Sequence, residues 1–368
     1  MRITSLRLFH YRNFNQAILS FSPSANLFFG PNGQGKTNLL EAIYLLAYGR
    51  SFRTHAPRDW IEFGENLCRV EGVVEHGSLE RDLAVQVVGG GQKELLVHHK
   101  QVPLHEFVGK FHALAFTGQQ LSVVRGGPAE RRSFLDRAMI TAYPGHLTHL
   151  AVYERALRQR NKLLAAVRDG SGKLDDALLE SWNVKLSQEG ARILWNRLNY
   201  VEEMRTEIPK GVFGKEDLQI EYKSTVPPEG RAREALQTEF RARLARAQSQ
   251  DLKRGFTSVG PHRDDLKLFI NGQVLSDFGS AGQQRSCLIA LYFAQMEIHR
   301  RIQGFYPVFL VDDVEAELDS ERLRIFLGHL SERTQIFLAT AKPSFLPALG
   351  GEIRKFEIEA GNPRWIPD

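Results

Sequence analysis

The segment "NLFFGPNGQGKTNLLEAIYLL", Asn26 to Leu46, indicates both the fold and a first activity of this chain. Its centre, Gly30–Thr37, matches G-x-x-x-x-G-K-[ST], the pattern of a phosphate-binding loop, or P-loop. Apolar residues precede the loop, and after it they recur at helical spacing. The segment therefore predicts a strand, a P-loop and a helix, and with them a protein that binds a nucleoside triphosphate.

The residue types of this loop suit phosphate chemistry. Its glycines allow the backbone to approach the phosphates closely, and its amides point inward at a helix N-terminus. We expect Lys36 to reach the β- and γ-phosphates of ATP and the Thr37 hydroxyl to bind Mg²⁺. The predicted nucleotide-binding residues are Gly30, Pro31, Asn32, Gly33, Gln34, Gly35, Lys36, Thr37 and Asn38.

A second stretch, "PVFLVDD" at 307–313, supplies the carboxylates that such a site needs. Its apolar run predicts a buried strand that brings Asp312 to the Mg²⁺ ion, and Asp313 follows beside the attacking water. By itself, the stretch is also typical of a core strand that ends in a solvated acidic turn. Together with the P-loop, it favours a catalytic set of Lys36, Asp312 and Asp313, with Thr37 and Asp312 as the metal ligands.

The stretch "FGSAGQQRS", 278–286, precedes the acidic strand and opens a helix. It resembles the signature motif of the ATP-binding-cassette (ABC) superfamily, whose serine and glycine contact the γ-phosphate held by the opposite subunit. The resemblance implies that Ser280, Gly282 and Gln283 complete the ATP site of a second copy, so that ATP drives homodimerisation. "AELD", 316–319, falls where that superfamily has its D-loop.

The patterns along the chain predict an α/β fold, with an ABC-type P-loop head built on a mixed β-sheet and an inserted helical arm. Strand patterns dominate 1–128 and 211–368, which we assign to the head. Helical periodicity, broken at Pro144–Gly145, dominates 129–210, which we assign to the arm. Asn271–Gly272 predicts a tight hairpin turn. No internal repeat or low-complexity linker interrupts the chain.

The composition limits the class of protein. The net charge of +5 and the pI of about 9.1 are compatible with a polyanionic partner. Two cysteines, Cys68 and Cys287, predict buried free thiols rather than a disulfide. Residues 1–14 lack the apolar stretch of a signal peptide, and no segment is apolar enough to span a bilayer. We therefore expect a cytoplasmic protein without a membrane partner.

The chain also carries a series of longer motifs. They are "LRLFHYRNF" (6–14), the P-loop segment itself, "GRSFRT" (49–54), "GGPAERRSFLDRAM" (126–139), "VGPHRDDL" (259–266), "GSAGQQR" (279–285) and "LVDDVEAELD" (310–319). In content and order they resemble the RecF family of bacterial recombination mediators over essentially the whole chain. The resemblance implies ATP-dependent dimerisation on double-stranded or gapped DNA. It also implies a role in DNA repair, recombination and replication-fork maintenance alongside RecO and RecR.

A few residues depart from the patterns of these families. Phe52 stands where the RecF-type motif has histidine, and Ala316 stands where its D-loop has serine. Thr340 lies near the place of a switch histidine in many cassette ATPases, and Asp313 stands where many carry glutamate. The last two differences predict slow hydrolysis. Together with the family resemblance, they lead us to expect a weak, DNA-stimulated ATPase that uses its nucleotide as a switch.

One helical stretch, 146–168, carries candidate DNA contacts. Its basic residues are Arg155, Arg158, Arg160, Lys162 and Arg168. Three of them, Arg155, Arg158 and Lys162, cluster opposite the apolar side of the predicted helix. Such a face can neutralise DNA phosphates without sequence preference, and it is equally typical of a solvated helix surface.

Two other basic motifs are open to more than one interpretation. Arg131 and Arg132 favour a structural role at the junction of head and arm over a role in DNA binding. His262, Arg263 and Asp264 fit either a structural turn or an approach to a nucleotide-dependent interface.

Two other classes of protein share the P-loop and the acidic strand. A chromosome-maintenance or Rad50-type head is disfavoured because the middle of the chain is too short for a long coiled coil and has no sustained heptads. The ATPase subunit of a membrane transporter is disfavoured because it keeps both motifs in one compact domain and needs no basic helical arm.

Overall fold

The structure is a computed structural model, and it describes residues 1–209, 216–227, 232–313, 318–343 and 352–367. The predicted D-loop residue Ala316 lies outside the described residues. No helix in the described part of the chain has an apolar stretch of the length that a bilayer crossing requires.

Strands predominate near the N-terminus, and the longest helices lie further along the chain. The strands are β1 (Arg2–Tyr11), β2 (Phe14–Ser20), β3 (Ala25–Phe29), β4 (Leu67–His76), β5 (Leu79–Val88), β6 (Gln92–Val97), β7 (Lys100–Gln101), β8 (Ala113–Phe116), β9 (Leu218–Lys223), β10 (Asp265–Ile270), β11 (Gln273–Val274), β12 (Val308–Asp312), β13 (Ile336–Thr340), β14 (Ile353–Glu359) and β15 (Asn362–Ile366). The helices are α1 (Lys36–Tyr48), α2 (Leu104–Phe107), α3 (Ser122–Arg125), α4 (Pro128–Ala142), α5 (His146–Arg168), α6 (Asp176–Glu207), α7 (Arg233–Arg254), α8 (Leu275–Phe278), α9 (Ala281–Gln303) and α10 (Ser320–Ser331).

The chain forms two compact units. The first combines Met1–Leu121 with Leu288–Asp368, and the second is Ser122–Cys287. Both cysteines are buried and free, as the sequence predicts, with Cys68 in the first unit and Cys287 in the second.

Two sheets are present in the described part of the first unit. One is antiparallel, in the order β2-β1-β4-β5-β6-β7, and the other follows the order β15-β14-β3-β13-β12-β8. In the second sheet, β14, β3, β13, β12 and β8 run parallel, and only β15 is antiparallel to its neighbour. Helix α1 contacts strands of both sheets and is buried along almost all of its length, because it is apolar on nearly every side. The carboxyl ends of the parallel strands therefore meet at one edge, next to the start of α1.

In its described residues, the second unit consists of helices and a small sheet, in the order β11-β10-β9. Helices α5, α6 and α7 pack on one another around an apolar core that includes Tyr153, Leu186, Ile193 and Phe240. The predicted hairpin turn is present between β10 and β11, and Asn271 and Gly272 have positive φ values of 50° and 79°.

These two units divide the chain at other places than the predicted segments 1–128, 129–210 and 211–368. Helix α7 and strands β9 and β10 follow residue 210, yet they pack against α5, α6 and α4 in the second unit. Long-range packing of this kind leaves no local signal in the sequence.

Candidate functional site

The P-loop lies at the carboxyl edge of the parallel sheet in the first unit. Strand β3 runs directly into it, and the parallel neighbours β13 and β12 end beside it in Thr340 and Asp312. A crevice at the carboxyl ends of parallel strands is the usual ligand site of such sheets. The sheet thus unites the two motifs that the sequence places far apart.

The glycines of the P-loop have backbone conformations that other residues rarely adopt. Gly30, Gly33 and Gly35 have φ values of 140°, 80° and 115°. A Cβ atom on Gly30 would lie 2.5 Å from the carbonyl oxygen of Ile358, and one on Gly35 would lie 2.8 Å from the side chain of Asn13. The loop therefore requires glycine for its curvature and for its close packing against neighbouring chain.

Lys36, the first residue of α1, is buried with its side chain folded into the loop. Its Nζ donates hydrogen bonds to the carbonyl oxygens of Gly30 and Pro31, each at 2.9 Å. The loop thus holds a positive charge inside a cradle of backbone, which is the arrangement expected of a triphosphate site.

Thr37 and Asp312 come together as predicted. The Thr37 hydroxyl donates a hydrogen bond of 2.9 Å to Oδ1 of Asp312, which is only 8% exposed. Burial and then the charge of Asp313 raise the pKa of Asp312 to about 6, against the opposing effects of Thr37, Arg53 and Lys36. A hydroxyl and a carboxylate are hard oxygen donors, and one or two of them plus phosphate oxygens suit Mg²⁺. These two residues fit the predicted metal site.

Asp313 and Thr340 lie at the same edge. Asp313 is exposed, has a positive φ of 45°, and donates its backbone N–H to the carbonyl oxygen of Ala339 at 3.1 Å. A positive φ is uncommon for a residue other than glycine, although aspartate adopts it more readily than most, and such positions cluster at functional sites. Thr340 is buried, and its hydroxyl accepts a hydrogen bond of 2.9 Å from the N–H of Lys342.

Three polar residues, Asn13, Asn38 and Arg53, are linked by hydrogen bonds beside the loop. Of these, only Asn38 was predicted to lie in the nucleotide site. Asn13 accepts a hydrogen bond of 2.8 Å from the amide of Asn38, which in turn accepts one of 2.6 Å from Arg53. The charge of Arg53 also lowers the pKa of Asp312. Asn13 and Arg53 belong to the motifs "HYRNF" and "GRSFRT". Their place in these motifs was the sequence feature that could have identified them as part of the site.

A buried acid on α1 fixes the segment that carries Arg53. Glu41 is fully buried and accepts hydrogen bonds from the Tyr11 hydroxyl at 2.8 Å, from Arg12 at 2.7 and 2.9 Å, and from the Ser51 hydroxyl. The ring of Phe52, the residue that departs from the family motif, packs edge-on against Tyr44, with centroids 5.3 Å apart. That position is therefore filled by an apolar contact.

The signature stretch in the second unit forms the start of α9. The Ser280 hydroxyl accepts the N–H of Gln283 at 3.2 Å, and Oε1 of Gln283 accepts the N–H of Ser280 at 2.9 Å. This reciprocal pair is a capping box, which stabilises a helix N-terminus. Ser280 is exposed, while the neighbouring Gln284 is buried and accepts a hydrogen bond of 2.7 Å from Arg125.

The basic face of α5 is smaller than the sequence suggests. Arg155, Arg158 and Lys162 are exposed, and Arg158 lies 3.7 Å from Glu154 in an exposed ion pair. Arg160 is instead completely buried.

The contacts of Arg160 explain its burial. Its guanidinium donates to Asn183, Asp251 and Thr257, each at 2.8 Å. Counting Arg160 among the basic residues of a DNA-facing helix was therefore wrong, because long-range partners decide whether a charge points to solvent. Arg168 is exposed and paired with Asp169 at 2.8 Å.

The other basic motifs are integrated into the second unit. Arg131 forms two hydrogen bonds with Asp265, at 2.7 and 3.0 Å, and Arg132 donates to the carbonyl oxygen of Asp264 at 2.7 Å. The Asp264 carboxylate is fully buried and accepts hydrogen bonds from Tyr222 at 2.8 Å and from the N–H of Thr225 at 2.7 Å.

The histidine of the same motif is similarly engaged. His262 contacts the Tyr153 hydroxyl at 2.8 Å and the carbonyl oxygen of Thr257 at 3.1 Å, and burial lowers the pKa of its ring to about 4. These contacts favour the structural-turn interpretation of His262 and Asp264.

Comparison with known proteins adds to this geometry. The family model "RecF/RecN/SMC N terminal domain" matches residues 2–350. "DNA replication and repair protein RecF" of Streptococcus agalactiae is 34% identical over 365 residues, which are 98% of this chain and 97% of that protein. A solved structure of the recombination mediator protein RecF-ATP in the RecFOR pathway is 30% identical, with a TM-score of 0.88 and coverage of 99% of both chains.

A more distant structure has the same fold. The Smc head domain with an extended coiled coil from Pyrococcus furiosus is 15% identical, with a TM-score of 0.56 and coverage of 99% of this chain and 95% of that one. The fold is thus the α/β fold of an ABC-type ATPase head with mixed sheets.

Proposed function

Since this chain belongs to the RecF family, we propose that it is an ATP-dependent DNA-binding protein of replication and recombinational repair. The observation that carries the nucleotide part is the pairing of Thr37 with Asp312 at 2.9 Å, beside a glycine loop that already encloses Lys36. The same geometry supports Mg²⁺ as the metal.

Each residue has a distinct part in this proposal. Bound Mg-ATP supplies the phosphoanhydride bond and the ion that polarises it. Lys36 binds the β- and γ-phosphate oxygens, and Thr37 and Asp312 hold the ion. Asp313 orients the attacking water and accepts its proton, a step needed only for hydrolysis.

Hydrolysis is proposed to be slow and stimulated by DNA. Asp313 carries a carboxylate one methylene shorter than glutamate, and the Thr340 hydroxyl is engaged with the backbone of Lys342. If side-chain reach limits the rate, Asp313→Glu should hydrolyse ATP faster than the parent. A rate that stays unchanged or falls in Asp313→Glu, with ATP affinity preserved, would contradict this explanation.

ATP is proposed to join two heads through the exposed start of α9, with Ser280, Gly282 and Gln283 meeting the ATP of the partner. Ser280→Arg adds bulk and charge there, and Ser276→Arg makes the same change at an exposed serine nearby. Gel filtration with ATP should show dimers of the parent and of Ser276→Arg, but monomers of Ser280→Arg that still bind ATP. ATP-dependent dimers of Ser280→Arg would remove the signature motif from the interface.

DNA binding is proposed to use the exposed basic face of α5. Arg155, Arg158 and Lys162 changed together to Glu should weaken duplex binding for all sequences alike. The slope of log affinity against log salt should shrink by about one unit per lost phosphate contact.

A control on α7 carries the same change in net charge. Arg233, Arg241 and Arg246 are each within ion-pair distance of a glutamate, and their replacement by Glu should affect DNA binding less. If both triple variants lose affinity equally, only net charge matters and the α5 site is wrong.

For partners and location, the family supports a proposal. We propose that this chain acts with RecO and RecR at gapped DNA in the cytoplasm and that hydrolysis resets the dimer; the solved RecF-ATP structure, which is named as part of the RecFOR pathway, supports this proposal. Sedimentation of gapped duplex with purified RecR, with and without the ATP-bound protein, tests this: RecR should co-sediment with the DNA only when this protein is present.

A further inference from the structure

We propose that the C-terminal hairpin β14–β15 positions the P-loop for nucleotide binding, through its turn at Ala360–Gly361. The proposal deepens the nucleotide-binding function proposed above and rests on it. No local pattern connects this turn to the P-loop, which lies more than three hundred residues earlier in the sequence.

The turn donates two hydrogen bonds to one residue of the loop, Gln34. The N–H of Ala360 donates a hydrogen bond of 2.6 Å to the side-chain Oε1 of Gln34, and the N–H of Gly361 donates one of 3.2 Å to the Gln34 carbonyl oxygen. Both acceptors of Gln34 are thus held from outside the loop. A flexible glycine-rich segment thereby loses freedom before any ligand arrives.

A third segment, the connection between β1 and β2, also contacts Gln34 and the turn. The Asn13 side chain donates a hydrogen bond of 2.8 Å to the same Gln34 carbonyl oxygen. A Cβ atom on Gly361 would lie only 2.0 Å from the carbonyl oxygen of Asn13, so the turn and the β1–β2 connection fit together without space for a side chain. Gly361 also has a positive φ of 77°.

The sheet register brings the hairpin to this place. Strand β14 pairs in parallel with β3, with Glu357 opposite Phe29, so that Ile358 lies beside Gly30 at the start of the loop. The Ile358 carbonyl oxygen is the atom that a Cβ on Gly30 would meet at 2.5 Å. The hairpin therefore contacts the loop at its first glycine and again at Gln34.

The physical consequence concerns affinity. Ordering a loop on binding costs conformational entropy, and a loop that is already ordered binds more tightly. If the hairpin merely covered the sheet edge, loosening its turn would lower stability without changing nucleotide affinity. If it positions the loop, affinity for ATP and ADP falls beyond any change in stability.

The first experiment compares two glycine substitutions. Gly361→Ala introduces a Cβ against Asn13, whereas Gly77→Ala introduces one at φ 61° in the β4–β5 turn, where no atom lies within 4 Å. Both carry the backbone strain of a left-handed alanine. By calorimetry, Gly361→Ala should bind ATP and ADP at least tenfold more weakly, and Gly77→Ala within twofold of the parent. Equal ATP affinity of Gly361→Ala and Gly77→Ala would overturn the proposal.

A milder variant keeps the test valid if Gly361→Ala does not fold. Gln34→Ala removes the side-chain amide whose Oε1 accepts the Ala360 N–H, and it keeps the Gln34 backbone, the part of the P-loop expected to face the phosphates. It should weaken ATP binding about threefold or more with an unchanged melting temperature. Unchanged ATP affinity of Gln34→Ala would also overturn the proposal.

Hydrogen exchange gives a readout that a purely structural contact would not move. Coupling between sites is reciprocal, so a non-hydrolysable ATP analogue should slow exchange at the Ala360 and Gly361 amides in the parent. In Gln34→Ala, the protection at Ala360 should be lost. If the analogue binds to the parent and neither amide slows, the hairpin is not coupled to the loop.

The two proposals fail in different ways. A parent protein that does not bind ATP contradicts the proposed function itself. A parent that binds ATP, with variants that bind it equally well, contradicts only the role of the hairpin.

Discussion

Asp312 in the first unit and Asp265 in the second are both buried acids at strand ends, yet their pKa values shift in opposite directions. Burial and the nearby Asp313 raise the pKa of Asp312 to about 6. Burial also acts to raise the pKa of Asp265, but hydrogen bonds from Arg131 and Lys267 outweigh it and hold the pKa below its ordinary value. The two acids differ in whether a basic side chain of the protein is hydrogen-bonded to the carboxylate, as it is at Asp265.

The second unit contains another buried acid that is neutralised by an arginine of the same unit. Arg160 and Asp251 are both completely inaccessible and lie 2.8 Å apart. Such pairs hold helices and strands together and need nothing from outside. At the edge of the first unit, Asp312 receives only the Thr37 hydroxyl as a direct donor among the described residues, although two cations act on it from further away. A buried acid without a cationic partner in direct contact is the better candidate for a metal ligand.

The largest expected effect concerns ATP hydrolysis and tests whether Asp313, an acid of the first unit, has a catalytic role. Asp313→Asn preserves shape and removes the charge that would activate water. It should bind ATP normally, hydrolyse it about 10²- to 10⁴-fold more slowly, and stay longer on DNA. Single-turnover hydrolysis and the lifetime of the DNA complex at saturating ATP measure this. If hydrolysis is abolished and DNA is released as fast as before, hydrolysis does not control release.

Next in size is the removal of an internal cation from the second unit. Arg160→Met leaves Asp251 buried without its ion-pair partner and should lower the free energy of unfolding by about 3–5 kcal/mol. Arg158→Met, two residues earlier on α5, breaks only an exposed pair and should cost about 0–1 kcal/mol. Urea unfolding of both variants measures the contrast. Equal losses would mean that burial does not distinguish the two arginines.

A smaller effect tests the sign of the pKa shift of Asp312. Its folded pKa lies above the unfolded value of 3.8, so its contribution to stability is fully present below about pH 4 and is lost as pH rises through about 6. The loss corresponds to about 3 kcal/mol. Without Mg²⁺ and nucleotide, Asp312→Asn should therefore be more stable than the parent at pH 8, by up to that amount.

The matched variant in the second unit should behave in the opposite way. The pKa of Asp265 is lowered, so its charge contributes stability above its unfolded pKa, and Asp265→Asn should destabilise the protein at pH 8. Urea unfolding between pH 4.5 and 8 in a chelating buffer compares the two. If both variants shift stability in the same direction, the opposition between the two acids is not real.

The smallest effect concerns the cation of the P-loop. Lys36→Ala removes the charge that lies at the carbonyl oxygens of Gly30 and Pro31, and ATP affinity should fall at least tenfold, about 1.4 kcal/mol. Lys100→Ala, at an exposed position of β7, serves as the control and should bind ATP like the parent. Calorimetric titration distinguishes them, and equal affinities would withdraw the P-loop assignment.

The nucleotide site was largely predictable because its signals are local. The glycines, Lys36 and Thr37 occupy fixed positions in a short motif, and Asp312 ends an apolar run long enough for a buried strand. The sheet brings these segments together, and the Thr37 hydroxyl donates a hydrogen bond to Asp312. The C-terminal hairpin β14–β15 carried no comparable motif, and its contact with Gln34 depends on strand pairing far along the chain.

The sequence by itself determined the P-loop, its following helix, the acidic strand and the family, because each is encoded in residues that are neighbours or ordered motifs. Only the tertiary structure decided which charges are buried. Arg160 and Lys162 stand two residues apart in one basic helix, yet Arg160 points inward to Asp251 and Lys162 points to solvent. Helical geometry separates their directions by about 160°, and the partner that makes burial of Arg160 tolerable comes from another helix. The sequence specifies which residues carry a charge, but tertiary packing determines which of these charges are buried and paired.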